Sequence, residues 1–176
     1  ILYIKKSIQD EVAPYQFGGS MVCEVFYDQS TFQQPPYRYE AGTPPIAQVV
    51  GLGAAIDYYK DNIGWESLKN HAASLCTRTI DGLSQFEQIR ILGPVEQLKN
   101  SGHLVSFVVE DVFDVHAHDV AAYLDTKNIC VRAGHHCAQP LHKELGIKAS
   151  IRVSFHVYHT LKEVELFLFA IEQMLK

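Results

Sequence analysis

Arg132-Ala133-Gly134-His135-His136-Cys137-Ala138-Gln139-Pro140 holds more reactive chemistry than any other stretch of this chain. It sets one thiol beside two imidazoles and a guanidinium, with a glycine ahead and a proline behind. The thiolate is the nucleophilic form of cysteine. An unperturbed thiol with a pKa near about 8.5 is only a few per cent ionised at neutral pH. Arg132, and either histidine when protonated, favours the ionised form. Gly134 lets the backbone leave a preceding apolar run, Ile129-Cys130-Val131, and a loop position leaves the sulfur within reach of a substrate. Zinc is the competing reading, because His135, His136, Cys137 and His142 are all ligand types, with His116 and His118 as distant partners. Adjacent residues seldom all reach one tetrahedral ion, and no second ligand pair stands at zinc-ribbon spacing. No metal site is therefore expected.

Two further segments carry chemistry. In Ser150-Ile151-Arg152-Val153-Ser154, Arg152 interrupts an apolar strand pattern and cannot lose its charge. Its fork of donors matches a carboxylate in bidentate fashion. That carboxylate belongs either to an internal Asp or Glu or to a substrate. Glu40-Ala41-Gly42-Thr43-Pro44-Pro45 is a small-residue loop directly before a helical pattern. It can offer N–H groups and the Thr43 hydroxyl to a phosphate, or simply start the helix with proline in its first turn.

The elements around these segments follow from periodicity. Ile1–Ile4 reads as a strand, and residues 5–45 read as irregular, with Gly18-Gly19-Ser20 and a proline-rich stretch from Ser30 to Pro45. Val49, Val50, Leu52, Ala55, Ile56 and Tyr59 recur at helical spacing, and Gly64 ends that helix. A second helix spans Trp65–Leu83, with Leu68, Ala72, Leu75, Thr79 and Leu83 on one stripe. Ile89 and Ile91, then Val105, Phe107 and Val109, alternate as two strands around a linker from Gly93 to Gly102. A helix from His118 to Asp125, strands at 129–131 and 151–155, and a final helix complete the order. Thr160-Leu161-Lys162-Glu163 is a capping box that opens this last helix, whose buried face is Leu161, Val164, Leu168, Ile171 and Leu175. The pattern predicts an α+β fold with helices packed on a small, mostly antiparallel sheet.

Composition narrows the class. The 176 residues are 47% hydrophobic and 20% charged, enough for a core without disulfides and unlike a disordered chain. That length suits one domain, or one domain plus part of another. A net charge of −5 disfavours a nucleic-acid partner. No apolar run approaches the roughly 20 residues of a membrane span, so no membrane partner is expected. Cys23, Cys76, Cys130 and Cys137 are widely spaced and form no disulfide framework, which suggests a reducing compartment, the cytoplasm or an organelle. Cys76 and Cys130 read as core thiols. The chain starts at Ile1, within an apparent strand, and reads as a piece of a longer protein.

Taken together, these segments resemble the C-terminal part of the cysteine desulfurases, class V members of the fold-type-I pyridoxal-phosphate enzymes. The likeness is greatest to the SufS-type group and the related selenocysteine lyases, and it covers nearly the whole chain. Arg132 to Pro140 is its most specific motif. Tyr39-Glu40-Ala41-Gly42-Thr43-Pro44, Gly18-Gly19-Ser20-Met21, Gly51-Leu52-Gly53-Ala54-Ala55, His116 to Asp125 and Arg152 support it by order and spacing.

The resemblance implies the small C-terminal domain of the fold-type-I transferase fold at 46–176. Residues 1–45 would then be a remnant of the large, cofactor-binding domain. It implies that Cys137 takes sulfur from L-cysteine as a persulfide while alanine leaves. Arg152 would hold the substrate carboxylate, and Arg132 would border the same pocket. Gly42 and Thr43 would reach the phosphate of pyridoxal phosphate in the opposite subunit of a homodimer. His135 and His136 would tune the thiol or position its loop. The sulfur would pass to an acceptor protein of the SufE or SufU kind, for iron–sulfur cluster assembly or other transfer. L-selenocysteine is the alternative substrate, and a stand-alone persulfide relay is the alternative role. The family's Schiff-base lysine lies in a Ser-x-His-Lys-type segment with no counterpart here, so these residues alone are expected to be inactive.

Overall fold

The computed structural model describes residues 1–110 and 115–176. The chain divides into two compact units, Ile1–Tyr58 and Tyr59–Lys176. The sequence reading draws its boundary after residue 45, whereas the compact units part after Tyr58, so the helix from Ile46 is counted with the first.

The first unit contains a short antiparallel hairpin, β1 (Val22–Val25) and β2 (Ser30–Phe32). The Phe26 N–H donates to the Gln29 carbonyl at 2.8 Å and closes it. Met21, just ahead of β1, is fully buried. Strands of four and three residues are too short to show alternation, which is why this stretch reads as irregular. Ile1–Ile4, expected as a strand, forms none: no described strand pairs with it, and a ladder needs a partner for its N–H and C=O groups. Gly42 takes a φ of +78° and donates its N–H to the Gly19 carbonyl at 2.8 Å, tying the Glu40–Pro45 loop to the Gly18-Gly19 turn. Helix α1 (Ile46–Tyr58) follows, with none of its residues buried.

The second unit opens with a π-helical turn, Tyr59–Ile63, and Gly64 at φ +77°. Then come α2 (Trp65–Leu83), β3 (Ile89–Leu92), α3 (Val95–Ser101), β4 (Leu104–Val109) and α4 (Ala117–Asp125). They are followed by β5 (Arg132–Gly134), α5 (Gln139–Glu144), β6 (Ser150–Ser154) and α6 (Leu161–Leu175). The sheet runs β3-β4-β6-β5 and every pairing is antiparallel. This is the α+β layer that the periodicities predict.

Alternation explains how the layers meet. Val105 and Phe107 of β4, with Ile151 and Val153 of β6, join Leu75, Ile80 and Leu83 of α2, Val120 and Leu124 of α4, and Val164, Phe167 and Ile171 of α6 in one core. Burying each large apolar side chain is worth roughly 1.5–3 kcal/mol. Helices α2 and α6 approach closely where Gly82 meets the Leu168 side chain. The capping box of α6 forms as expected: Thr160 N–H donates to Glu163 Oε2 at 2.7 Å, and Glu163 N–H donates to Thr160 Oγ1 at 3.3 Å. Leu161 is half exposed and lies off the buried face.

Three expectations are corrected. The third strand lies at 132–134 and not at 129–131. The Ile129 N–H is spent on the Leu124 carbonyl at 3.0 Å, behind Asn128 in the left-handed region at φ +59°, so these residues close α4 before the ladder begins. Cys130 is consequently exposed and is no core thiol, whereas Cys76 is fully buried. Finally, the linker between β3 and β4 holds α3. Its Pro94 and Gly102 are the two ends of a helix, and its Val95 and Leu98 pack on the core.

Candidate active site

Strand β5 and the turn after it place the Cys137 segment at one edge of the sheet. Gly134 pairs with Ser150, Ala133 with Ile151 and Arg132 with Arg152. Arg152 in turn pairs with Ser106, which pairs with Leu92. Residues directly opposite share a face, so Leu92, Ser106, Arg152 and Arg132 form one row across four strands. Ile151 and Val153 face the helices, and this row occupies the other face of the sheet.

Like charges directly opposite on neighbouring strands destabilise a sheet unless something negative lies between them. Among the described residues, no carboxylate pairs with Arg132 or Arg152. The internal partner that sequence alone leaves open for Arg152 is thus absent among them.

Past β5 the chain makes a tight turn, with Ala138 N–H donating to the His135 carbonyl at 2.8 Å. Its central residues, His136 at φ +51° and Cys137 at φ +58°, are both left-handed without being glycine. Such a conformation costs about 1–2 kcal/mol per residue. Left-handed backbone at two adjacent non-glycine residues persists only where the surroundings over-determine it. Cys137 is exposed at this turn.

The surroundings are histidines and Ser150. His136 Nε2 lies 3.2 Å from the Ser150 carbonyl. A carbonyl only accepts, so Nε2 carries the proton. His142 is buried, 5% exposed, with Nδ1 at 3.0 Å from the Ala138 carbonyl and Nε2 at 2.9 Å from Ser150 Oγ. The His135 ring stands edge-on to that of His142, centroids 5.4 Å apart. Burial holds the His136 imidazole below the usual histidine range, against the pull of its bond to the Ser150 carbonyl, and the nearby Arg152 and Arg132 guanidiniums lower it further. His136 is therefore neutral at neutral pH. Of the two histidines that the sequence offers as cationic partners of the thiol, this one supplies no charge.

His116 and His118 do not join the turn as ligands of a common ion. His116 caps α4, where its Nδ1 accepts the His118 N–H at 3.2 Å. The His118 ring lies alongside Gly134. Among the described residues, no three His, Cys, Asp or Glu side chains converge as a metal site requires. A cavity of about 900 Å³ elsewhere in this unit, beside α6, is lined by Cys130, Phe155 and Phe169, and Cys137 is not part of its wall.

In the first unit, Gly42 spends its N–H on Gly19. Thr43 is exposed just ahead of α1. Thr43 therefore has an exposed hydroxyl that can meet a phosphate, whereas the Gly42 amide is already bonded and Gly42 contributes the positive φ that shapes the turn. Sequence reasoning treats His142 only as a zinc-ligand type and gives Ser150 no role. The spacing of four between Ala138 and His142, one helical turn, was the available signal.

Comparison with known proteins shows the family and the fold. The family model for the class-V aminotransferases matches residues 1–167. A cysteine desulfurase of Haloferax volcanii is 44% identical over 171 residues, covering 97% of this chain and 39% of the relative. The solved cysteine desulfurase of Thermococcus onnurineus NA1, in its apo form, superposes with a TM-score of 0.85 at 42% identity, over 98% of this chain and 42% of that one. The Escherichia coli cysteine desulfurase CsdA gives a TM-score of 0.81 at 34% identity, over 97% and 41%. The chain therefore spans about two fifths of the length of the relatives it matches, and it belongs to the class-V aminotransferase family.

Proposed function

We propose that this chain carries the sulfur-accepting and carboxylate-holding part of a cysteine desulfurase of the SufS type. The observation that supports it most directly is the exposed Cys137 at a left-handed turn next to the arginines of β5 and β6, to which no carboxylate pairs among the described residues. Arg152 holds the carboxylate of L-cysteine or L-selenocysteine in bidentate fashion, and Arg132 adds positive charge at the same place. The Cys137 thiolate bonds to the substrate sulfur as that sulfur's bond to Cβ breaks. The carbon skeleton keeps the electron pair, takes up a proton and leaves as alanine.

Pyridoxal phosphate, when bound, supplies the electron sink that makes the C–S bond labile. Thr43 contributes a hydroxyl to its phosphate. None of these 176 residues stands in a Ser-x-His-Lys-type context, so this stretch by itself does not turn over. Exposure of Cys137 suits transfer of the sulfur to the thiol of an acceptor protein, of the SufE or SufU kind, and the phosphate contact suits a homodimer. Four free cysteines suit a reducing compartment. No helix among the described residues is long and apolar enough to cross a membrane.

The test is reconstitution. The chain is mixed with L-cysteine and pyridoxal phosphate, with and without the complementary three fifths of the Haloferax volcanii relative. Alanine release only in the complemented mixture, with a persulfide on Cys137 that Cys137→Ser removes, is the expected result. Arg152→Gln should raise KM for cysteine more than it lowers kcat. Persulfide loading of Cys137 by a complete desulfurase, with no alanine from the complemented mixture, would identify a relay instead.

A further inference from the structure

The described residues bury three polar side chains, Thr79, His142 and Ser150. Thr79 is spent within its own helix, on the Leu75 carbonyl at 2.8 Å. The other two bond to each other, 2.9 Å apart, and the far side of the imidazole reaches Ala138, the residue that closes the Cys137 turn. We propose that His142 and Ser150 are positioning residues, a clamp that holds the Cys137 turn in its left-handed form. The proposal rests on the reading of Cys137 as the sulfur acceptor.

Proton accounting fixes the direction of the clamp. The Ala138 carbonyl accepts only, so His142 Nδ1 carries the hydrogen. In the neutral ring Nε2 is then bare, and the Ser150 hydroxyl donates to it. The chain runs Ser150 Oγ–H to His142 Nε2, then His142 Nδ1–H to the Ala138 carbonyl. Independently, the Ser150 carbonyl accepts the His136 Nε2–H at 3.2 Å. One residue of β6 thus grips the turn twice, at its first central residue and at the residue that closes it. The grip lies within the sheet register that sets Arg152, two residues along the same strand, opposite Arg132.

A buried polar pair is a costly way to gain stability, since an apolar pair of the same shape does as well. It does fix direction, because only one arrangement satisfies all of its donors and acceptors. Here the fixed direction opposes the strain at His136 and Cys137, two adjacent left-handed residues of which neither is glycine. The thiol is presented in one orientation beside the arginine row, and small misplacements of a nucleophile cost large factors in rate.

Three variants of the full 176-residue chain test this. Ser150→Ala cuts the hydroxyl link and keeps the carbonyl. Ser150→Thr keeps the hydroxyl. His142→Asn can keep the bond to the carbonyl four residues back, as Asn100 does with Glu96 at 2.8 Å, but cannot reach Ser150. NMR Cα and Cβ shifts report left-handed backbone at His136 and Cys137, with the equally left-handed Asn128 as a reference outside the clamp. In parallel, sulfur transfer from cysteine persulfide to Cys137 is followed by mass spectrometry: the Cys137 thiolate bonds the outer sulfur, the S–S bond of the donor breaks, and cysteine thiolate leaves.

In Ser150→Ala and His142→Asn, the left-handed shifts of His136 and Cys137 should be lost while those of Asn128 persist, and transfer should fall about tenfold. Ser150→Thr should stay within about twofold of the parent. Left-handed shifts that survive in both cut variants would overturn the clamp. A parent chain that takes no sulfur would overturn the acceptor reading, and the shifts would still decide the clamp.

Discussion

Arg132 and Arg152 stand directly opposite each other on β5 and β6, with no carboxylate paired to either among the described residues. Two like charges in this position work against the pairing of the strands that carry them. By contrast, Arg78 and Arg90 are each paired, to Glu165 and Glu110. The unit therefore has the means to neutralise an arginine, and its described residues do not use it where the sheet meets the Cys137 turn. Arg132→Gln should raise stability by about 0.5 kcal/mol in low salt. The gain should shrink in concentrated salt, where exposed charges are screened. Urea unfolding at two ionic strengths measures it, and a destabilised variant would mean that Arg132 has an internal partner.

Thiol reactivity should divide the cysteines as burial does. Cys76 is fully buried between α2 and the sheet, and burial pushes its thiol up to about 11. Cys23, Cys130 and Cys137 are exposed. A thiol reagent should modify these three in the folded chain and reach Cys76 only on denaturation. Rapid native labelling of Cys76 would show that the core opens far more readily than its packing suggests.

His136 should titrate below the ordinary histidine value of 6.5, because burial and then the nearby positive groups disfavour its charged form. Below about pH 6.5 the unfolded chain binds a proton that the folded chain refuses, so stability is full above that pH and falls as pH drops through the folded value. NMR titration of the ring should give the lowered midpoint. Arg152→Gln should move it part of the way back up, since burial is the larger cause. A midpoint at or above 6.5 would contradict the burial of this ring.

Much of this was legible because the second unit is built from strong local signals. Helix α2 shows its buried stripe from Ala72 to Leu83, and β4 alternates at Val105 and Phe107. Arg132, Cys137 and Arg152 stand out by chemistry alone. What escaped the sequence are features set by backbone partners. The hairpin of β1 and β2 is too short for a period. Helix α3 hides behind Pro94 and Gly102, which punctuate a helix and a loop alike. The place of β5 depends on where the Ile129 amide finds its acceptor. The tie from Ser150 to Ala138 depends on a side chain folding back one helical turn, which the spacing of four between Ala138 and His142 permits but does not assign.

The start of α6 gives a prediction in which sequence and structure agree at the level of single atoms. Thr160 accepts the Glu163 N–H and donates its own hydroxyl to Glu163 Oε2 at 2.9 Å. Thr160→Ala should cost about 1 kcal/mol at neutral pH. The Glu163 carboxyl is held below the usual range, first by the Thr160 hydroxyl and then by the Thr160 amide. A lowered folded pKa stabilises above the unfolded value of 4.5, and that stability is lost as pH falls through the folded one. The gap between parent and variant should therefore narrow on acidification, because in Thr160→Ala the carboxyl has already lost its stronger donor. Glu163→Gln should show the same flattening in acid while keeping the Thr160 hydroxyl as acceptor for the amide. Parallel pH profiles for parent and both variants would mean that the box is closed by the hydroxyl and the helix amide alone, with the carboxylate a bystander.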